Sequence, residues 1–172
     1  MARNVEIKAR IASVEALLPR ARACADAEPE RIAQDDTFFH CASGRLKLRV
    51  FADGRGELIA YQRPDASGPT TSDYAITPVP DPDALRATLA RALGVAGRVV
   101  KQRTLLLAGR TRVHLDRVAG LGDFLELEVV LRDGESAEAG VAEAHALAAR
   151  LQVDAAQLVS GAYVDLLRRR AD

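Results

Sequence analysis

The chain has no tryptophan and one methionine, and aromatic residues make up 4% of its 172 positions. So few rings leave little for a stacking surface on single-stranded nucleic acid. An excess of either charge is also missing. Lys and Arg total 24, Asp and Glu total 24, and the formal net charge is zero. A broad basic field that would attract nucleic acid or an anionic membrane is thereby excluded, and neither is expected as a partner. The two cysteines, Cys24 and Cys41, lie in no metal-ligand spacing and read as free thiols in a reducing, cytoplasmic compartment. The three histidines, His40, His114 and His145, form neither HxxxH nor HExxH, so a structural zinc site is not expected. The opening "MARNVEIKAR" carries charges where a signal peptide needs an apolar run, and no later run is long enough to span a bilayer.

What is present is the mix of an ordinary folded protein, 48% hydrophobic and 28% charged, with length for one domain over residues 1–172. Two-residue alternation dominates. It reads as strands over residues 3–11, from Gln34 to Cys41, in "RLKLRVF" and "GELIAYQR" around the Asp53-Gly54 turn, and near Ser72–Thr77. Three more follow in "RVVKQRTLLL", "RTRVHLDRV" and "GDFLELEVVLR". A helix is expected after Ser13, shortened or kinked at Pro19. Another lies in "DPDALRATLARALG", capped by Asp81, opened by Pro82 and ended by Gly94. From about residue 135 to 170 the chain is Ala-rich and helical, with a break near Gln152–Asp154. Arg168, Arg169 and Arg170 fall at a helix C-terminus, where the dipole alone accounts for them. The pattern is α+β: eight mostly sequential antiparallel strands over about residues 3–132, with helices on one side.

The polar faces of these strands are sorted by charge. Arg45, Lys47 and Arg49 share one face, as do Lys101 and Arg103. Arg112, His114 and Asp116 share another, Glu126 and Glu128 another, and Glu6 and Lys8 lie beside Asn4 and Arg10. Glu57, Tyr61 and Arg63 align on the fourth strand. Any single strand of this kind is accounted for by a sheet with one wet face. Like charges two residues apart stand about 7 Å from each other, roughly 2 kcal/mol of repulsion at an effective dielectric of about 20. If the face turns inward it needs counter-charge, from a bound anion, from metals or from the acidic strands. His114 on that face suits a neutral hydrogen-bonding role, whereas His40 and His145 read as surface or satisfied packing residues.

Six segments in order, "NVEIKAR", "GRLKLR", "ELIAYQR", "VVKQR", "RVHLD" and "FLELEV", resemble the CYTH superfamily, the triphosphate tunnel metalloenzymes. The nearest branch is that of class IV adenylyl cyclase-like proteins. The resemblance implies an eight-stranded antiparallel closed β-barrel, a triphosphate tunnel, with helices packed outside. It implies Mg²⁺ or Mn²⁺ held by Glu6, Asp116, Glu126 and Glu128, and a triphosphate held by Lys8, Arg45, Lys47, Arg49, Arg63, Lys101, Arg103 and Arg112. Lys8, Lys101 and Arg103 would be catalytic. The implied reaction is ATP to cyclic AMP and pyrophosphate, with hydrolysis of tripolyphosphate, thiamine triphosphate or a nucleoside triphosphate as the alternative. A noncatalytic polyphosphate- or nucleotide-binding module is a further alternative, and a homodimer an accompanying expectation. One departure stands out: the family's ExExK signature begins here with Asn4, a neutral oxygen donor in place of a carboxylate, which weakens a second metal.

Overall fold

The computed structural model describes residues 2–64 and 68–171. Eight strands form a closed barrel: β1 (Ala2–Arg10), β2 (Glu30–Phe39), β3 (Arg45–Phe51), β4 (Gly56–Gln62), β5 (Thr70–Val79), β6 (Val95–Ala108), β7 (Thr111–Val118) and β8 (Gly122–Val130). Around the barrel they run β1-β5-β4-β3-β2-β6-β7-β8, and β8 pairs back with β1. Every neighbouring pair is antiparallel. The four helices are α1 (Val14–Cys24), α2 (Pro82–Leu93), α3 (Ala137–Arg150) and α4 (Tyr163–Ala171). None is long and apolar enough to cross a membrane among the described residues.

The barrel is inside out relative to a packed β-core. Most of the charges sorted by strand point inward, and on β1, β7 and β8 the apolar residues point out to meet helices. Val5, Ile7 and Ala9 of β1, Val113 and Leu115 of β7, and Leu125, Leu127 and Val129 of β8 are all buried. They form one cluster with Leu17 and Ala21 of α1 and Ala144, Leu147 and Ala148 of α3. Each fully buried leucine there contributes about 1.5–3 kcal/mol. Close docking of α3 depends on Gly140, where an added Cβ would lie 2.8 Å from both Val5 Cγ2 and Leu131 Cδ2.

Several boundaries differ from expectation. β2 starts at Glu30 and β5 runs from Thr70 to Val79, because barrel pairing extends both beyond their alternating cores. α1 passes through Pro19 and reaches Cys24. Pro19 is exposed, so the carbonyl it leaves without an amide partner can be met by water. The expected break after α3 is present, with Gln152 at φ 57°.

α4 lies across one end of the barrel. Val164 sits where β6 has Gly97, and a Cβ on Gly97 would stand 2.5 Å from Val164 Cγ2. Around this contact Phe38, Val99, Val118, Leu121, Phe124, Ala162 and Tyr163 form a second buried cluster. The arginines of α4 do more than complement its dipole. Arg168 donates to the Ala96 carbonyl and Arg170 to the Gly120 carbonyl, tying the helix to the barrel rim.

Candidate triphosphate and metal site in the tunnel

Strand register brings the sorted charges together. Across the seam, Glu6 faces Glu128 and Lys8 faces Glu126. On the other side of β8, Arg112 faces Glu128 and His114 faces Glu126. Arg103 pairs with Asp116, Arg49 with Asp36, and Lys101 with Gln34. The cavity, about 290 Å³, runs from Tyr163 past these groups towards an apolar end lined by Ile32, Phe51, Ile76 and Leu105.

Each cation on the cavity is met by a carboxylate or a carbonyl. Lys8 Nζ donates to the Gly161 carbonyl at 2.8 Å, lies 3.2 Å from Glu126 Oε1 and sits 4.2 Å above the Tyr163 ring. Arg103 forks onto Asp116 with two 2.7 Å bonds and reaches Glu126 Oε2 at 2.8 Å. Lys101 is 3.5 Å from Asp116 Oδ2. Arg63 donates to Glu6 Oε2 at 2.5 Å, and Arg112 to Glu128 Oε2 at 2.9 Å. Arg49 forks onto Asp36 with two 2.8 Å bonds, and Lys47 donates to the same carboxylate at 2.9 Å.

The basic residues named from the sequence thus converge on the cavity, except Arg45, which does not line it and is paired with Asp165 of α4 at 2.6 Å. The four named carboxylates divide. Glu126 and Glu128 stand beside His114, with one ligand atom from each of the three residues lying within 4.8 Å of the others. Asp116 is fully buried and held by Arg103, Lys101 and the Tyr163 hydroxyl, which donates to its Oδ2 at 3.0 Å. Glu6 is engaged by Arg63.

Sequence reasoning missed Asp36, Gln34, Tyr163 and Asp165. Asp36 had a signal in "AQDDTFF", since alternation sends one of Asp35 and Asp36 inward. It does not say which one, and Asp35 turns out to pair externally with Arg98. The tail "SGAYVDLL", which holds Tyr163 and Asp165, also resembles the family, but no side chain in it was assigned to the tunnel, because α4 acquires that role only by docking.

Burial sets much of the electrostatics. It lowers Lys8 and Lys101, helped at Lys101 by Arg103, and lowers Lys47 to about 7, with Arg49 adding to the effect. Burial also raises Glu6, with Glu128 reinforcing it against Arg63. For Asp36, Asp116 and Glu126 burial pushes upward too, but neighbouring cations outweigh it and hold all three below their ordinary values. His114 is pushed down by burial and by Arg103, which favours the neutral imidazole with a lone pair available.

Three buried side-chain atoms on this cavity have no hydrogen-bond partner: Asn4 Oδ1, Gln34 Oε1 and His114 Nδ1. Buried orphan acceptors and donors are uncommon and call for a ligand or water. His114 Nδ1 lies 3.7 Å from Glu126 Oε2 and 3.7 Å from Glu128 Oε1, too far for hydrogen bonds and spaced for an ion between them. One imidazole and two carboxylates suit a divalent cation, so the residues present fit a metal.

Comparison with known proteins agrees with this architecture. No protein of curated function matches the sequence. Among solved structures, a Pyrococcus horikoshii protein is 22% identical with a TM-score of 0.84, covering 95% of this chain and 99% of its own. A candidate adenylate cyclase from Vibrio parahaemolyticus is 22% identical with a TM-score of 0.76, covering 96% and 97%. A candidate adenylyl cyclase from Hippeastrum, described as having a dominant triphosphatase activity, is 12% identical with a TM-score of 0.63, covering 99% and 96%. These likenesses establish the fold. The family model for the CYTH domain matches residues 2–163, and the chain belongs to the CYTH domain family.

Proposed function

We propose that this protein is a divalent-metal-dependent enzyme acting on a triphosphate inside its tunnel, and that it converts ATP to cyclic AMP and pyrophosphate. The observation that carries the reading is the cation-lined interior: Lys8, Lys47, Arg49, Arg63, Lys101, Arg103 and Arg112 all line one cavity. Such a cradle suits a polyphosphate, with Arg supplying planar forks and Lys compact charges. Ile32, Phe51, Ile76 and Leu105 give the opposite end a surface for an organic group, which favours a nucleotide over inorganic tripolyphosphate.

A divalent ion bound by Glu126, Glu128 and His114 would neutralise charge on the phosphate oxygens and align them. The chain's own residues do the rest. In the cyclase reaction the substrate's 3′-hydroxyl oxygen bonds to the α-phosphorus, the bond to the β-phosphate oxygen breaks, and a proton is released. Arg103 and Lys101, buried at the Tyr163 end, are placed to stabilise charge on the leaving pyrophosphate, as is Lys8. Binding must draw Lys47 and Arg49 partly away from Asp36, which pairs with both. A cytoplasmic location accords with ATP as substrate.

Hydrolysis is the second reading, favoured by the triphosphatase activity described for the Hippeastrum protein of the same fold. There a water oxygen bonds to the terminal phosphorus instead, the bond to the neighbouring phosphate's bridging oxygen breaks, and orthophosphate, the diphosphate and a proton are released. Purified protein incubated with ATP and Mg²⁺ or Mn²⁺ is expected to yield cyclic AMP and pyrophosphate. Orthophosphate without cyclic AMP selects hydrolysis, to be compared on tripolyphosphate and thiamine triphosphate. Tight binding with no product under either metal selects a noncatalytic module.

A further inference from the structure

We infer that this tunnel holds a single divalent ion and that His114 Nδ1 is a ligand to it, beside Glu126 and Glu128. The inference rests on the metal-dependent reading above and specifies how that metal is held.

The strand that opens the family signature is poorly equipped to hold an ion here. Asn4 brings no charge, and Glu6, its neighbour on the same face, is paired with Arg63 at 2.5 Å and lies outside the cluster of metal-ligating side chains. Asp116 is likewise committed, fully buried beneath Arg103, Lys101 and Tyr163. Among the described residues the one three-membered cluster of metal-ligating side chains is His114, Glu126 and Glu128. Its imidazole is 3% exposed, and its Nδ1 has no hydrogen-bond partner.

Distances support the same choice. Two ligand atoms on one ion at about 2.1 Å stand at most about 4.2 Å apart. Both 3.7 Å separations from His114 Nδ1 already satisfy that limit. For all three atoms to reach one ion the remaining pair, now within 4.8 Å, must close to about 3.5 Å, a movement of up to about 1.3 Å that rotation of the two carboxylates supplies. Arg112 takes the other oxygen of Glu128, leaving Oε1 to face the imidazole. Glu126 Oε2 accepts from Arg103 but retains a second lone-pair site.

Charge balance points to one ion. Among the described residues seven cations line the cavity, against the four carboxylates that line it and Asp116 immediately behind, which leaves +2 when Lys47 is protonated. A triphosphate of about −4 then needs one divalent ion for neutrality, and a second would leave a buried excess. An imidazole ligand also changes which metal is favoured. Carboxylates alone suit Mg²⁺, whereas a nitrogen donor tilts the site towards Mn²⁺ and the later divalent metals.

The test is direct binding of Mn²⁺, with and without tripolyphosphate, followed by electron spin resonance and spin-echo envelope modulation. One ion per chain is expected, with the nitrogen couplings of an imidazole. Because the chain has three histidines, the double variant His40→Gln/His145→Gln leaves His114 alone and must keep those couplings. His114→Gln must lose them, weakening Mn²⁺ roughly 10-fold or more while changing Mg²⁺ much less. If His114→Gln does not fold, the wild-type and double-variant spectra still decide. Two ions per chain, absent imidazole couplings, or no Mn²⁺ bound at millimolar concentration would each overturn the inference. Turnover of ATP without imidazole coupling would leave the proposed function standing and remove only this assignment. Coupling without turnover would do the reverse.

Discussion

At the scale of single residues, Lys47 is the tunnel cation most sensitive to pH, because burial holds it near 7 where an exposed lysine titrates near 10.5. A phosphate beside it favours the protonated form and raises its pKa in the complex. Below about pH 7 the ammonium is present before and after binding, so affinity does not depend on this group. Above that, binding must take up a proton, and affinity falls by up to about tenfold per pH unit until the pKa of the complex is reached. Calorimetry of tripolyphosphate binding between pH 7.5 and 9, in buffers of different ionisation enthalpy, should show this uptake. Lys47→Arg, permanently charged, should abolish it. An identical buffer dependence in that variant would show that the proton goes elsewhere. Residues such as Lys47 were legible from alternation together with family likeness. Asp36 was not, because β2 breaks the usual sorting: Ile32 and Phe38 point into the tunnel alongside Gln34 and Asp36. A strand with apolar groups on both faces gives alternation no way to tell inside from outside.

At the scale of elements, α2 was readable down to its caps. Asp81 accepts from the Ala84 amide at 3.0 Å, and the helix ends at Leu93 before Gly94. α4 was readable as a helix but not as an end wall, since its inward contacts belong to the docked state. The device that permits docking is the missing side chain at Gly97. Gly97→Ala should push Val164 outward and cost about 1–3 kcal/mol in denaturant unfolding. It should also accelerate amide exchange along α4 and weaken tripolyphosphate binding, because Tyr163 and the Gly161 carbonyl would leave Asp116 and Lys8. Native exchange rates in α4 with unchanged stability would mean that the contact is not restrictive.

For the molecule as a whole, alternation and turn signals were enough to count the strands and to expect mostly sequential antiparallel neighbours, from which the β1–β5 and β2–β6 pairs depart. Closure was not readable from periodicity, since an open sheet and a barrel have the same two-residue repeat. What decides it is the β1–β8 register, which sets Lys8 against Glu126 and Glu6 against Glu128. A closed, charged interior makes ligand binding a stabilising event. Tripolyphosphate with Mn²⁺ at about 100 times its Kd should stabilise the fold by about 2.7 kcal/mol, a rise of roughly 5–11 °C in Tm. A sheet with merely solvated charges would show no such rise in a thermal scan.

The bond from Lys8 to the Gly161 carbonyl joins residues 153 positions apart. At translation rates of about 5–20 residues per second, Lys8 waits about 8–30 s for that partner to be made. Until β8 has been made, for most of that interval, β1 has no seam, and a growing sheet with free edges is an invitation to pair with other nascent chains. Its inward-facing lysines and arginines, not yet enclosed, then repel such pairing. The charges that grip a phosphate chain in the finished protein guard the unfinished one against aggregation.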